Sequence, residues 1–144
     1  MTYVTLNGML HNAYARGNNV VKLAHETTAS RGPGGNVAVY HHGNQIADIG
    51  ENYFTLDNAG WHSRTTADRL NAILRDNQTV LPSDPNVTDR LYYSVRIQQG
   101  RMILTGRPVQ GKQVTLREFD RSVAHFSRAS RYHHFTLRGG DEYS

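Results

Sequence analysis

The sequence predicts an α+β fold, with antiparallel β meanders and hairpins packed against two amphipathic helices. Three observations predict it. Short β-rich runs recur between Gly/Asn turn signals, from Val20 to Leu56 and again from Leu91 to Thr105. Ala67, Leu70, Ile73 and Leu74 fall on one face of a helix after Thr65 and Asp68, which fit a capping box. Leu116, Phe119, Val123 and Phe126 repeat that spacing after a second such pair, Thr115 and Glu118.

Taken in order, Thr2 to Leu6 alternates and reads as a first strand, and Asn7-Gly8 as a turn. Residues 9–15 fit no single pattern. Val20 to His25 is a strand, and Thr27 to Asn36, with Gly32-Pro33-Gly34-Gly35, a loop. Val37 to His41, a Gly43-Asn44 turn and Gln45 to Ile49 make a hairpin; Tyr53 to Leu56 continues the meander. Residues 78–89 hold Pro82 and Pro85 among Ser, Asp and Asn, a linker composition. Leu91 to Gln98 and Arg101 to Thr105 form a second hairpin, with Tyr93, Val95 and Ile97 on one side. Residues 132–138 read as a last strand and 139–144 as a tail. The 144 residues suit one domain: a meander plus helix over 1–77, and a half over 90–138.

Composition narrows the chemistry. There is no cysteine, so disulfides and thiolate metal sites are excluded, which fits an intracellular protein. No apolar run reaches membrane-spanning length, and the first residues lack a secretory signal core, so no membrane partner is expected. The net charge of +4 is unevenly spread. Residues 1–89 carry six Lys/Arg against eight Asp/Glu; residues 90–138 carry ten against two. A basic second half points to an anionic partner, with plain solvation as the alternative.

Asp57 to Leu74 is the organising stretch: a turn, the only tryptophan as a large anchor, and a capped helix. Around it the chain resembles a group of small bacteriophage and prophage proteins. Their pattern runs His-Gly-Thr, a meander, then Gly-Gly-Trp-x-Thr-x-Thr-Thr-x-x-Arg-x-Asn. Here it reads His42-Gly43-Asn44-Gln45-Ile46, then Ala59-Gly60-Trp61-His62-Ser63-Arg64-Thr65-Thr66-Ala67-Asp68-Arg69-Leu70-Asn71. His11-Asn12-Ala13-Tyr14 is similar to the Asn-Thr-Tyr that opens such proteins. The likeness spans roughly residues 11–75, with Ala59 in place of a Gly and Ser63 in place of a Thr. It implies a phage origin, hence the host cytoplasm as the place of action, and no assigned activity.

The functional candidates are the Arg and His residues. On the helix expected over 115–131, Arg117, Arg121, His125, Arg128 and Arg131 share the face opposite the apolar one. Arg96 and Arg101 add charge from the second hairpin. Such a face can track a phosphate backbone, with Tyr92, Tyr93 or Tyr132 stacking on bases, or grip an acidic host protein. The adjacent pairs His41-His42 and His133-His134 lack the convergence zinc requires, so no metal and no cofactor is expected. Thr65, Arg69 and Asn71 read as structural: a cap, an ion-pair partner for the meander, and a tie to the turn.

The expected function is therefore a small phage-type accessory protein, non-enzymatic, that binds nucleic acid or an acidic host protein through a basic C-terminal helix. The alternative is a metal-independent nuclease pairing His42 or His62 with Arg64 or Arg69, two imidazoles carrying out the proton transfer.

Overall fold

The computed structural model describes residues 1–78, 91–108, 111–121, 123–129 and 134–137. Helix α1 (Tyr3–Ala15) precedes β1 (Val20–Ala24), β2 (Thr27–Arg31), β3 (Val37–His41), β4 (Asn44–Ile49) and β5 (Tyr53–Leu56). Helix α2 (Arg64–Asn77) leads to β6 (Leu91–Gln98), β7 (Arg101–Pro108) and β8 (Val114–Glu118). Strands β9 (Ala124–Ala129) and β10 (His134–Leu137) follow. The fold is α+β, as the alternation predicts.

Every strand pair is antiparallel. A seven-stranded sheet runs β1-β2-β3-β4-β5-β9-β10, and a three-stranded sheet runs β6-β7-β8. The meander β1 to β5 thus continues across a long excursion into β9. Phe54 and Phe126 sit opposite each other in that join, stacked with ring centroids 4.7 Å apart. One buried cluster unites both sheets and both helices. Leu6 and Leu10 come from α1, Val37, Val39, Ile49 and Leu56 from the large sheet, Leu70 and Ile73 from α2, and Val95, Met102 and Leu104 from the small one.

The first residues are helical, not extended. Thr2 is the N-cap, its hydroxyl accepting the Thr5 N–H at 3.3 Å, and Leu6, Leu10 and Ala13 are buried at helical spacing. The β-branched residues that suggested a strand lie in the first turn, where capping outweighs propensity. Thr27–Arg31 is also a strand, pairing with β3 from Thr27↔His41 to Arg31↔Val37. Burial of Ala29 in the sheet overrides the small, polar composition that suggested a loop.

Helix α2 buries the expected face, with Ala67, Leu70, Ile73 and Leu74 all inside. Its cap is Ser63, not Thr65: the Ser63 hydroxyl accepts the Thr66 N–H at 3.2 Å. Asn71 reaches β6 rather than the turn. Its carboxamide binds both the N–H and the C=O of Val95 at 2.8 Å. Gln78, buried at the C-cap, does the same to Tyr93. Residues i and i+2 of a strand point their backbone groups to one edge. The two amides therefore act as a substitute neighbour for the free edge of β6. The expected linker lies, beyond Gln78, outside the described residues.

The second amphipathic helix does not exist where the sequence placed it. Residues 114–118 and 124–129 are strands, and Arg121 between them has φ +53°. A left-handed residue interrupts any α-helix. The apolar spacing that mimicked a helix is divided between two sheets: Ala124 and Phe126 point inward at strand spacing, Phe119 is buried in the connection, and Val123 is 51 % exposed. Glu118 caps no helix and instead lies 3.5 Å from Arg101.

Candidate functional site

Losing that helix scatters the basic face predicted for it. Arg117 lies half-buried in β8, its Nη2 donating to the Val123 carbonyl at 3.4 Å and its guanidinium 6.0 Å from the Phe119 ring centre. His125 is in β9 with its ring 5.2 Å from that of Tyr53. Arg128 pairs by backbone with Phe135, while Arg131 lies outside the described residues, as does His133. Arg121, Arg96 and Arg101 are exposed.

Of these three, Arg121 reaches a different set of residues, centred on the Asp57–Trp61 turn. Asn58 is fully buried and holds the turn in place. Its Oδ1 accepts the N–H of Gly60 and of Arg121, both at 2.9 Å, and its Nδ2 donates to the Phe119 carbonyl at 2.5 Å. The turn needs left-handed backbone at Ala59 (φ +55°) and Gly60 (φ +83°). A Gly at position 59 would fit this geometry better than Ala. At Gly60 a Cβ would also lie 3.2 Å from the Arg121 Nε, so the Arg121 side chain crosses the turn next to Trp61.

Trp61 is not a core anchor: it is 52 % exposed. Its ring lies 6.4 Å from that of His42, tilted by 37°. His42 is presented by the β3–β4 hairpin, whose loop is His42-Gly43, one residue earlier than expected, with φ of +50° and +78°. Positive φ at both central residues marks the hairpin turn whose twist matches its strands. The two halves of the sequence pattern, His42-Gly43 and Gly60-Trp61, therefore meet at one surface.

His62 anchors this surface. Its Nδ1 accepts the Met102 N–H at 2.8 Å, so the proton is on Nε2, which donates to Asp120 at 2.9 Å. Both nitrogens are committed. The contact also puts the Trp61 turn at the Arg101 end of the small sheet. On that sheet's outer face the register aligns Tyr92 with Arg107, Arg96 with Ile103 and Gln98 with Arg101. The Arg107 guanidinium lies 5.7 Å from the Tyr92 ring centre, and Arg96 Nη2 donates to the Thr115 hydroxyl at 3.4 Å.

Beneath His42 sits a polar chain. Arg69 donates from Nε to the Thr27 hydroxyl at 3.0 Å, rather than pairing with an acid of the meander. Thr27 Oγ1 is also 2.9 Å from both the His25 carbonyl and His41 Nδ1. One hydroxyl proton satisfies all three contacts when it goes to His25 and Nδ1 carries its own hydrogen. His41 is buried, and its Nε2 has no hydrogen-bond partner. Burial first, then the neighbouring His42 and Arg69, lowers its pKa below the usual 6.5, against a weaker upward pull from Glu26.

A neutral His41 makes the fold acid-sensitive. Its contribution to stability is complete above pH 6.5, the unfolded value, and is lost as the pH falls from there toward its lower folded value. The melting temperature is expected to fall between pH 7.5 and pH 5, and the His41→Gln variant to show a shallower decline over the same window. Equal slopes for the two proteins would place the acid sensitivity elsewhere.

Among the described residues no three His, Asp or Glu converge as metal ligands, and no helix is long and apolar enough to cross a membrane. A comparison with protein families supports the phage origin that the resemblance implies. The family described as Kyanoviridae Gp96 protein matches residues 6–115, from α1 into β8. The match takes in Trp61, His42, Arg96 and Arg101 and stops short of Arg121. No curated protein and no solved structure matches the chain.

Proposed function

The chain belongs to the Kyanoviridae Gp96 family of bacteriophage proteins, and within that setting we propose that it binds single-stranded nucleic acid on the Trp61 surface. The observation that carries this reading is a half-exposed tryptophan beside a second exposed ring, His42, with the Arg121 side chain laid across the turn that carries Trp61. Unstacked bases bind on such rings irrespective of sequence, while arginines hold the phosphates. Arg101 and Arg96 extend the charge along the small sheet. Duplex DNA fits less well, because paired and stacked bases leave no free face for Trp61 and His42 to stack on.

The reading is one of binding without catalysis. A two-imidazole nuclease needs one ring as base and the other as acid. His62 has both nitrogens engaged by Met102 and Asp120, and His41 Nε2 is buried, so of these three histidines only His42 is exposed.

Fluorescence anisotropy with labelled homopolymeric DNA and RNA, over a salt series, tests the proposal. For single strands, log K is expected to fall with log salt at a slope of about −0.7 per phosphate contacted. The double variant Arg101→Glu with Arg121→Glu is expected to lower affinity by about 10-fold or more and flatten that slope. Binding that is absent, or insensitive to both substitutions, overturns the proposal. Capture of an acidic host protein that depends on the same arginines would assign the surface to that partner instead.

A further inference from the structure

A second concavity lies on the opposite part of the meander, between α1 and the β1–β2 hairpin, with a volume of about 530 Å³. That is within the range of about 300–1,000 Å³ typical of small-molecule sites. It shares no residue with the Trp61 surface. We propose that this cleft binds a nucleoside monophosphate.

Its walls carry the three features such a ligand needs. The first is a ring platform. Tyr14 is 75 % exposed and Val20 52 % exposed, and both line the cleft with Leu10. The fold leaves these large side chains uncovered, and together they offer an aromatic face and an aliphatic floor to a planar base. The second is a hydrogen-bonding edge. Asn18, Asn19 and Ser30 line the cleft, and their side chains make no hydrogen bond among the described residues. A carboxamide offers a donor and an acceptor side by side, as the edge of a base does.

The third is a fixed cation. Arg31 Nη1 donates to Asn7 Oδ1 at 2.6 Å and to the Gly35 carbonyl at 3.0 Å. Both acceptors are neutral, and no carboxylate pairs with Arg31 among the described residues. The guanidinium is thus oriented but not neutralised, the state in which it takes a phosphate. No Asp or Glu lines the cleft. A ligand with an ammonium group, such as an amino acid, would find no counter-charge, and an uncharged sugar would leave Arg31 unused. Base and phosphate together use all three features.

Calorimetric titration with AMP and GMP, with adenosine and inorganic phosphate in parallel, tests the assignment. The monophosphates are expected to bind at least about 10-fold more tightly than adenosine or phosphate alone. Tyr14→Ala, at an exposed helix position, is expected to weaken AMP and GMP about 10-fold or more. Arg31→Lys is expected to weaken both toward the affinity for adenosine. Trp61→Ala should leave them unchanged, which separates this cleft from the strand-binding surface. A Tyr14-dependent gain for an oligonucleotide bearing a 5′-phosphate would identify the ligand as a strand end rather than a free nucleotide. Absence of binding by AMP and GMP, binding indifferent to Tyr14→Ala, or adenosine binding as tightly as AMP each overturns the proposal.

Discussion

Replacing Asn58 with alanine is expected to destabilise the protein by about 3 kcal/mol, and to lower its melting temperature by roughly 10 °C. The side chain is fully buried and makes three hydrogen bonds to main chain: the N–H groups of Gly60 and Arg121 and the carbonyl of Phe119. An unsatisfied buried group costs about 1–3 kcal/mol, and alanine leaves up to three of them. The substitution releases both ends of the candidate surface together, because Gly60 carries Trp61 and Arg121 sits opposite. Asn58→Asp separates the roles. It keeps the acceptor for the two N–H groups but sets a carboxylate against the Phe119 carbonyl, so it is also expected to be destabilising. Thermal denaturation followed by circular dichroism measures both. An unchanged melting curve for Asn58→Ala would mean that the turn is held by other contacts.

Trp61→Ala is expected to do the reverse: cost little stability and much affinity. With half its surface already in water, the ring contributes no more than about 1–2 kcal/mol by burial. Stacking on one base is worth about 1–3 kcal/mol, so affinity for single strands is expected to fall by about 10- to 100-fold. Trp61→Phe should retain a part of that affinity. The paired readout of melting temperature and anisotropy is decisive. A large drop in stability would return the tryptophan to the scaffolding role that the sequence suggested, and equal affinity would remove it from the binding surface.

The parts of the fold legible in the sequence were those fixed by local chemistry. The β3–β4 and β6–β7 hairpins follow from alternation with Gly at the turn, and α2 follows from its apolar spacing. The failures have a common origin in long-range contacts. Residues 114–129 are helical by spacing alone, but strand pairing and the Asn58 amide, 63 residues from Arg121, determine their course. The α1 signal, Leu6, Leu10 and Ala13, was present and was outweighed by β-branched neighbours. The site divided in the same way. Charge alone points to Arg96 and Arg101, which lie exposed; the proximity of Trp61 and His42 depends on the fold and is not written in their spacing. Arg117 belongs to a basic face only on a helix, and it lies in β8.

The α2 amides have a consequence for how this protein can change. Asn71 and Gln78 grip only main-chain atoms of β6, at Val95 and Tyr93. A joint of that kind is indifferent to the side chains pointing the other way. Exchanging Tyr92, Arg96 or Gln98 would therefore leave the two layers fastened, an interchangeable outer panel on a constant joint.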